Sequence, residues 1–320
     1  RVLFRSVRLS SNQIYTQRVD NITSSQSRWM TEGNKISSGR RVEKPSDDPM
    51  AASQAVMVKQ SEARNQQYAT ARGFAKNSMS LQMSLSSQMV NITTKIQETL
   101  VAAGNDGALS DEDRASLAEQ LSGLKDQLVG IGNTKDGVGR YVFAGFQTDK
   151  PPFVADKTGK ITYQGGDKQI TQKVDSNIEM VSNFTGIETL QSSGGKGTEP
   201  DIFNALDEAI SALREPLVGK PQADRDAALD KINTANRVNR ATLNNISSVE
   251  AKLGLQLQEL DNLDDLGADT SLRNAKRLSE LRDLDWTQAI SDYYQEESVL
   301  QASYKVFNDM KEMSMFKMYR

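Results

Sequence analysis

The stretch Lys35 to Ala55, KISSGRRVEKPSDDPMAASQA, constrains the fold more than any other, because it encodes one helix ending and another beginning. Gly39 suits a helix C-terminus, where glycine enters the left-handed region without a Cβ clash. Ser37, Ser38, Gly39 and Arg40 form the exit, and Arg41 and Val42 lead into a connector closed by Pro45. Asp47 and Asp48 follow. The Asp48 carboxylate is placed to accept from the free N–H groups of a new helix, and Pro49 sits at the first helical position, where its missing donor is not needed. The alanine-rich run from Met50 to Ala55 then favours helix strongly.

Heptad patterning lies on both sides of this joint. Upstream, Tyr15, Ile22, Trp29 and Ile36 recur every seven residues, with Val19 at one intermediate position and Gln26 and Gly33 at the others. Such a partial seam needs a partner helix. Downstream, the helix from Asp48 extends to about Ala103, with Leu81, Leu85, Met89, Ile92, Ile96 and Leu100 on one face. Ser110 caps a further helix, its first turn acidic through Asp111, Glu112 and Asp113; Leu117, Leu121, Leu124, Leu128 and Ile131 are its seam, and it ends near Gly132-Asn133.

The texture changes at Gly139. Tyr141, Val142, Phe143 and Phe146 are strand-like, Ile161 alternates with Tyr163, and turns fall at Pro151-Pro152, Thr158-Gly159 and Gly165-Gly166, so residues 140 to 190 read as a β-rich insertion. Gly194 to Gly197 forms a return loop. Helices resume at Ile202, stop at Pro216, and continue from about Ala223. In this last long helix Leu229, Ile232, Leu243, Ile246, Leu253, Leu257 and Leu260 share a heptad frame in which Asn236, Asn239 and Glu250 also fall, either as buried register-setting residues or facing solvent. At Leu284-Asp285-Trp286-Thr287-Gln288 an Asp cap with Gln three residues on has the form of a capping box. Trp286, Ile290, Tyr293, Leu300, Tyr304 and Phe307 follow at heptad spacing, interrupted by Glu297, and the tail holds Met310, Met313, Met315 and Met318.

Composition narrows the function classes. The 42 acids and 39 bases leave a net charge of −3, which gives no electrostatic case for nucleic acid or an anionic membrane. The chain has no cysteine and no histidine, so thiolate chemistry and the commonest general base and metal ligand are absent. The acid pairs Asp47-Asp48, Asp111-Glu112-Asp113 and Asp264-Asp265 sit at helix ends or on helical pattern, where capping and solvation explain them. The Gly194-Gly195-Lys196-Gly197-Thr198 loop lacks the spacing of a phosphate loop. No catalytic residue, cofactor or metal is expected. The sequons at Asn21, Asn91, Asn183 and Asn245 read as chance in a chain rich in Ser, Thr and Asn.

The Ile-Ser-Ser-Gly-Arg turn followed by Asp-Asp-Pro and small residues resembles the N-terminal signature of the flagellin superfamily. The segment Asn133 to Phe146, NTKDGVGRYVFAGF, with Pro152-Phe153, is similar to the motif of its hook–filament junction members, and Leu300 to Phe307 resembles their tail; flagellin itself is the alternative. The resemblance implies a mainly α fold: a long antiparallel coiled-coil rod built from both termini, with a small β-rich insertion. It implies axial-core helices over 7–48 and 279–320, a helical rod over 49–139 and 200–278, and an outer insertion over 140–199. Family-like sequence begins near Val7, so residues 1–6 are expected to be a non-native extension.

The implied role is structural and non-enzymatic: a ring of the extracellular flagellum, exported without a cleaved signal. The implied partners are hook-associated protein 1 on one side, flagellin on the other, further copies of this chain, and a cytosolic export chaperone at the C-terminal region; no nucleic acid or membrane is among them. Arg40 and Arg41 would make intersubunit contacts. The weakly apolar termini would be disordered in the monomer and order on assembly.

Overall fold

The computed structural model describes residues 11–105, 109–190, 200–217 and 219–313. Its elements are α1 (Ser11–Ser38), α2 (Pro49–Ala103), α3 (Asp111–Gly132), β1 (Phe153–Ala155), β2 (Ile161–Tyr163), β3 (Ile170–Lys173), β4 (Glu179–Asn183), α4 (Gly186–Leu190), α5 (Ile202–Arg214), α6 (Gln222–Arg282) and α7 (Trp286–Met313). This is a mainly α protein with two small antiparallel strand pairs, β1–β2 and β3–β4. The return loop at 194–197, residues 1–6 and Met315 and Met318 lie outside the described residues, as do the side chains of Met310 and Met313. The chain divides into two units, Arg1–Arg64 with Asp269–Arg320, and Asn65–Ala268.

Local codes set the helix ends. Gly39 has φ 65°, the left-handed exit. Asp48 Oδ1 accepts from Ala51 N at 3.0 Å, which opens α2. Ser110 and Asp113 form a reciprocal capping box on α3. At α7, Asp285 Oδ1 accepts from the N–H groups of Thr287 and Gln288 (3.0 and 3.2 Å), but the Gln288 side chain reaches forward to Asp292. The expected capping box is therefore only half made, because the longer amide finds a competing carboxylate one turn ahead.

In the 65–268 unit, Leu85, Met89, Ile96 and Leu100 of α2 close over Leu121 and Leu128 of α3, Leu206 and Leu213 of α5 and Ile232 and Ile246 of α6, all buried in one core. Asn239 is fully buried in this packing, and its Nδ2 donates to Thr93 O at 2.9 Å, so it crosses between helices rather than facing solvent. Glu250 is partly buried, and burial raises its carboxyl pKa above the ordinary value. A second core joins Met79 of α2 and Leu253 and Leu260 of α6 to Val174, Met180 and Phe184 of the inserted segment.

Two side-chain amides fix that inserted segment to the helices. Gln82, fully buried on α2, donates to Phe184 O (2.7 Å) and accepts from Phe184 N (2.9 Å). Asn133, just beyond α3, does the same to Phe153, at 2.8 and 2.9 Å. Each amide completes a backbone pair that no strand supplies. The strand-like residues Tyr141, Val142, Phe143 and Phe146 lie in successive turns, not in a strand. Only Tyr141 makes a bridge, to Lys135, while Val142 and Phe143 are buried as core side chains. Helix α4 also interrupts what the sequence reads as β structure.

Candidate assembly surface

In the unit formed by the chain ends, α1 and α7 pair antiparallel. Tyr15 meets Phe307 with ring centroids 5.5 Å apart, and Trp29 meets Tyr293 at 5.6 Å. Between them Arg28 Nε lies 3.0 Å from Glu296 Oε2, while its two terminal nitrogens donate to Ser24 and Ser25. Arg28 is half exposed, so this pair contributes about 0.2–1 kcal/mol and chiefly sets register.

The seam differs from the heptad reading in one systematic way. Ile22, Trp29 and Ile36 on α1, and Tyr293, Leu300 and Phe307 on α7, are partly or fully buried as the spacing predicts. Between them the seam is filled chiefly three residues on, by Ser25 and Glu32 on α1 and Ala289, Glu296 and Ser303 on α7, with Gly33 and Glu297, four residues on, also partly buried. Ile290 and Tyr304 are thereby turned outward, at 45% and 44% exposed, and Trp286, Tyr15 and Val19 are also exposed. The cause is size: Gly33 lies against the Tyr293 ring, where a Cβ would stand 3.6 Å from it, and Ala289 and buried Ser25 fill little space, so the helices approach on small residues. What faces outward on one flank of α7 is a line of large apolar groups, Trp286, Ile290, Tyr294 and Tyr304, while Val299 and Val306 are exposed on the other flank. An open notch of about 230 Å³ on that second flank is lined by Ile22, Val299 and Val306. Trp29 Nε1 is buried without an acceptor among the described residues.

The two connectors of this unit are hydrogen-bonded side by side. Arg41 N donates to Arg282 O (2.8 Å) and Leu284 N to Gly39 O (3.1 Å), and Val42 is buried beneath. The Arg41 guanidinium bonds Asp48 Oδ2 (3.1 Å) and Leu281 O (2.9 Å). Arg41 is thus engaged within its own chain while remaining partly exposed, and the Arg40 side chain is exposed. The Ala51 N–H, then Arg41, hold the Asp48 carboxyl below its usual range, and the Lys44 N–H does the same for Asp47, which also accepts from Glu43 N. Signature residues Ser37, Ser38 and Pro49 are exposed around this joint.

The other acid clusters have structural work. Asp113 caps α3, Asp111 accepts from Leu217 N at 3.0 Å, and Asp264 pairs with buried Arg72 at 2.5 Å. Asn183 of the third sequon is buried and donates to Val142 O. Among the described residues no helix is long and apolar enough to cross a membrane.

Paired terminal helices, each passing through a short connector into a long helix, are the arrangement of a flagellin-type protein, and residues 9–148 match the family model of the bacterial flagellin N-terminal helical region. The chain is 44% identical over 322 residues to flagellar hook-associated protein 3 of Salmonella typhimurium, covering 98% of this chain and 100% of that one. The protein of the same name from Escherichia coli K12 is also 44% identical, over 98% and 99%. Flagellin of Bacillus subtilis is 24% identical over 93% and 94%. The fold is shared with a putative flagellar hook-associated protein of Vibrio parahaemolyticus (TM-score 0.63, 24% identity, 74% of this chain and 100% of that one). It is shared too with flagellar hook associated protein-3 of Legionella pneumophila (TM-score 0.64, 19% identity, 70% and 98%). The chain belongs to the flagellar hook-associated protein 3 family.

Proposed function

We propose that this chain is the structural adaptor between the hook and the flagellin filament, forming one ring of the extracellular flagellum without catalysing a reaction. The observation that carries the reading is the α1–α7 pair. Its inner seam alternates Ile22, Trp29, Ile36, Tyr293, Leu300 and Phe307 with small and polar residues, while Trp286, Ile290 and Tyr304 point outward as unspent apolar surface. A soluble subunit with such a face gains by burying it against equivalent helices of its neighbours, through coiled-coil-like packing in an axial core. Its neighbours are hook-associated protein 1 below, flagellin above and further copies of this chain alongside. A subunit whose terminal helices resemble those of flagellin can template the stacking of flagellin on one side while holding the hook side on the other. The C-terminal region, Met-rich and partly outside the described residues, is the segment on which an export chaperone would act before assembly.

The test is immunogold electron microscopy of intact flagella with antibody against residues 140–199. A single band where hook meets filament is the expected result. Label along the whole filament would mean that the chain is a filament subunit, and no label on flagella would overturn the assignment.

A further inference from the structure

The two flanks of the α1–α7 pair are unlike. On one, Tyr304 stands 44% exposed, and no ring, cation or hydrogen-bond partner meets its side chain among the described residues. On the other lies the open notch of about 230 Å³, walled by Ile22, Val299 and Val306 and lined also by Arg18 and Asn21. Arg18 and Asn21 are exposed, and neither side chain has a partner among the described residues. The notch is smaller than the pockets of about 300–1,000 Å³ that hold drug-sized ligands. It has room for one large side chain.

Tyr304 matches this notch in height and in chemistry. Val299 and Val306 bound the notch along α7, a stretch about 10 Å long, and Tyr304 falls within that stretch on the opposite flank. Among the exposed large apolar groups of its flank it alone does so, since Tyr294, the next along, lies about 8 Å short of Val299. In a ring whose axis the pair follows, rotation brings one flank of a copy against the other flank of the next at equal height. A tyrosine offers the valines and Ile22 an apolar ring and offers Asn21 a hydroxyl to bond. The face of that ring is also a partner for the Arg18 guanidinium.

We infer that Tyr304 of one copy inserts between Val299 and Val306 of the next, packed on Ile22, with its hydroxyl toward Asn21 and its ring face toward Arg18. The occupant is a second copy of this chain, and the inference rests on the ring assembly proposed above. The contact is heterologous, a knob on one flank and a hole on the other, which is the kind that generates a ring when the rotation closes.

The full-length variant Tyr304→p-azidophenylalanine keeps an aromatic group of similar size at the knob. Intact flagella carrying it are irradiated, and the products are read by immunoblot and by mass spectrometry of the joined peptides. The expected result is covalent multimers of this chain, with attachment within residues 18–22 or 299–306 of the second copy. Attachment to a different protein or elsewhere on this chain would overturn the inference, as would monomer alone. The same group at Ile290, on the same flank but about 20 Å away along α7, should give no attachment at the notch. A second measurement leaves Tyr304 in place. The chain has no cysteine, and Ala302 is exposed beside the notch, so the thiol of Ala302→Cys should react with a maleimide dye in the free chain and lose that reactivity in flagella. Equal reactivity in both would sink the proposed contact. Absence of the immunogold band from wild-type flagella would remove the ring reading itself, whereas an intact band without these signals is a failure of the notch alone.

Discussion

Replacing Gln82 by Met tests how the inserted segment is held. Gln82 is fully buried, and its amide is the partner of both the N–H and the C=O of Phe184, itself almost wholly buried. Methionine has nearly the same length and flexibility, so the substitution leaves little cavity and removes the two hydrogen bonds alone. Both backbone groups of Phe184 then stay buried without partners. Each such group costs about 1–3 kcal/mol, which sets the expected loss at about 3 kcal/mol. Against a domain stability of about 5–15 kcal/mol this is a large effect. Urea unfolding of the full chain, followed by far-UV circular dichroism, should show a lower midpoint at unchanged slope. Amide exchange at Phe184 should speed up before exchange in α2. A midpoint equivalent to within about 0.5 kcal/mol of wild type would refute the argument, because surface-like changes fall in that range.

Gly186→Ala should destabilise the same region by about 1–3 kcal/mol, since a Cβ there would lie 2.7 Å from both the Phe153 and Tyr163 rings; thermal unfolding checks it. Asp156 is held below its usual carboxyl range by the Thr158 side chain and backbone N–H, so its contribution is complete above the unfolded value of 3.8 and is lost as pH falls through the lower folded value. Asp156→Asn should accordingly flatten the acid limb of a stability–pH profile while leaving it unchanged in shape near neutrality. The paired variant Ile290→Ser/Tyr304→Ser should leave the unfolding midpoint of the free chain within about 0.5 kcal/mol, because both side chains face outward, yet reduce incorporation into flagella as read by immunoblot of sheared filaments. Trp286 is exposed in the chain, so its emission should shift to the blue and lose acrylamide access on assembly; unchanged quenching in assembled material would count against burial of this face.

Helix ends were the most legible part of the sequence because their codes are local. Asp48, Ser110 and Gly39 each act within four residues of their partners, and each sits where its chemistry requires. The seam of the terminal helices is legible at the positions carrying Ile22, Trp29, Ile36, Tyr293, Leu300 and Phe307. Between them a spacing of three or four satisfies the same heptad, and apolar content points to Ile290 and Tyr304. The structure takes the alternative stripe through Ser25, Ala289, Glu296 and Ser303, which no hydrophobic pattern can announce. The turn at 141–146 was misread for a related reason: its aromatic and β-branched residues are there to fill a core, and their backbone pairing is supplied from a distance. Gln82, Asn133 and Asn239 could have been suspected only from their place on otherwise apolar faces, since their partners are remote in sequence.

That shift of seam carries the functional argument. Had α1 and α7 packed on their large residues, Ile290 and Tyr304 would be spent inside one chain and its surface would be finished. By letting glycine, alanine and serine alternate with the large seam residues instead, the pair keeps 44–62% of Trp286, Ile290, Tyr294 and Tyr304 in water, each forgoing about 1 kcal/mol of burial. The single chain is left with a terminal pair of 28-residue helices joined by two aromatic contacts, one exposed ion pair and a narrow seam in which few large side chains are fully buried. A neighbour that covers the outward line restores that burial. Assembly and ordering of the termini are on this view one event: the subunit holds back its best apolar surface for contacts that exist only in the finished structure.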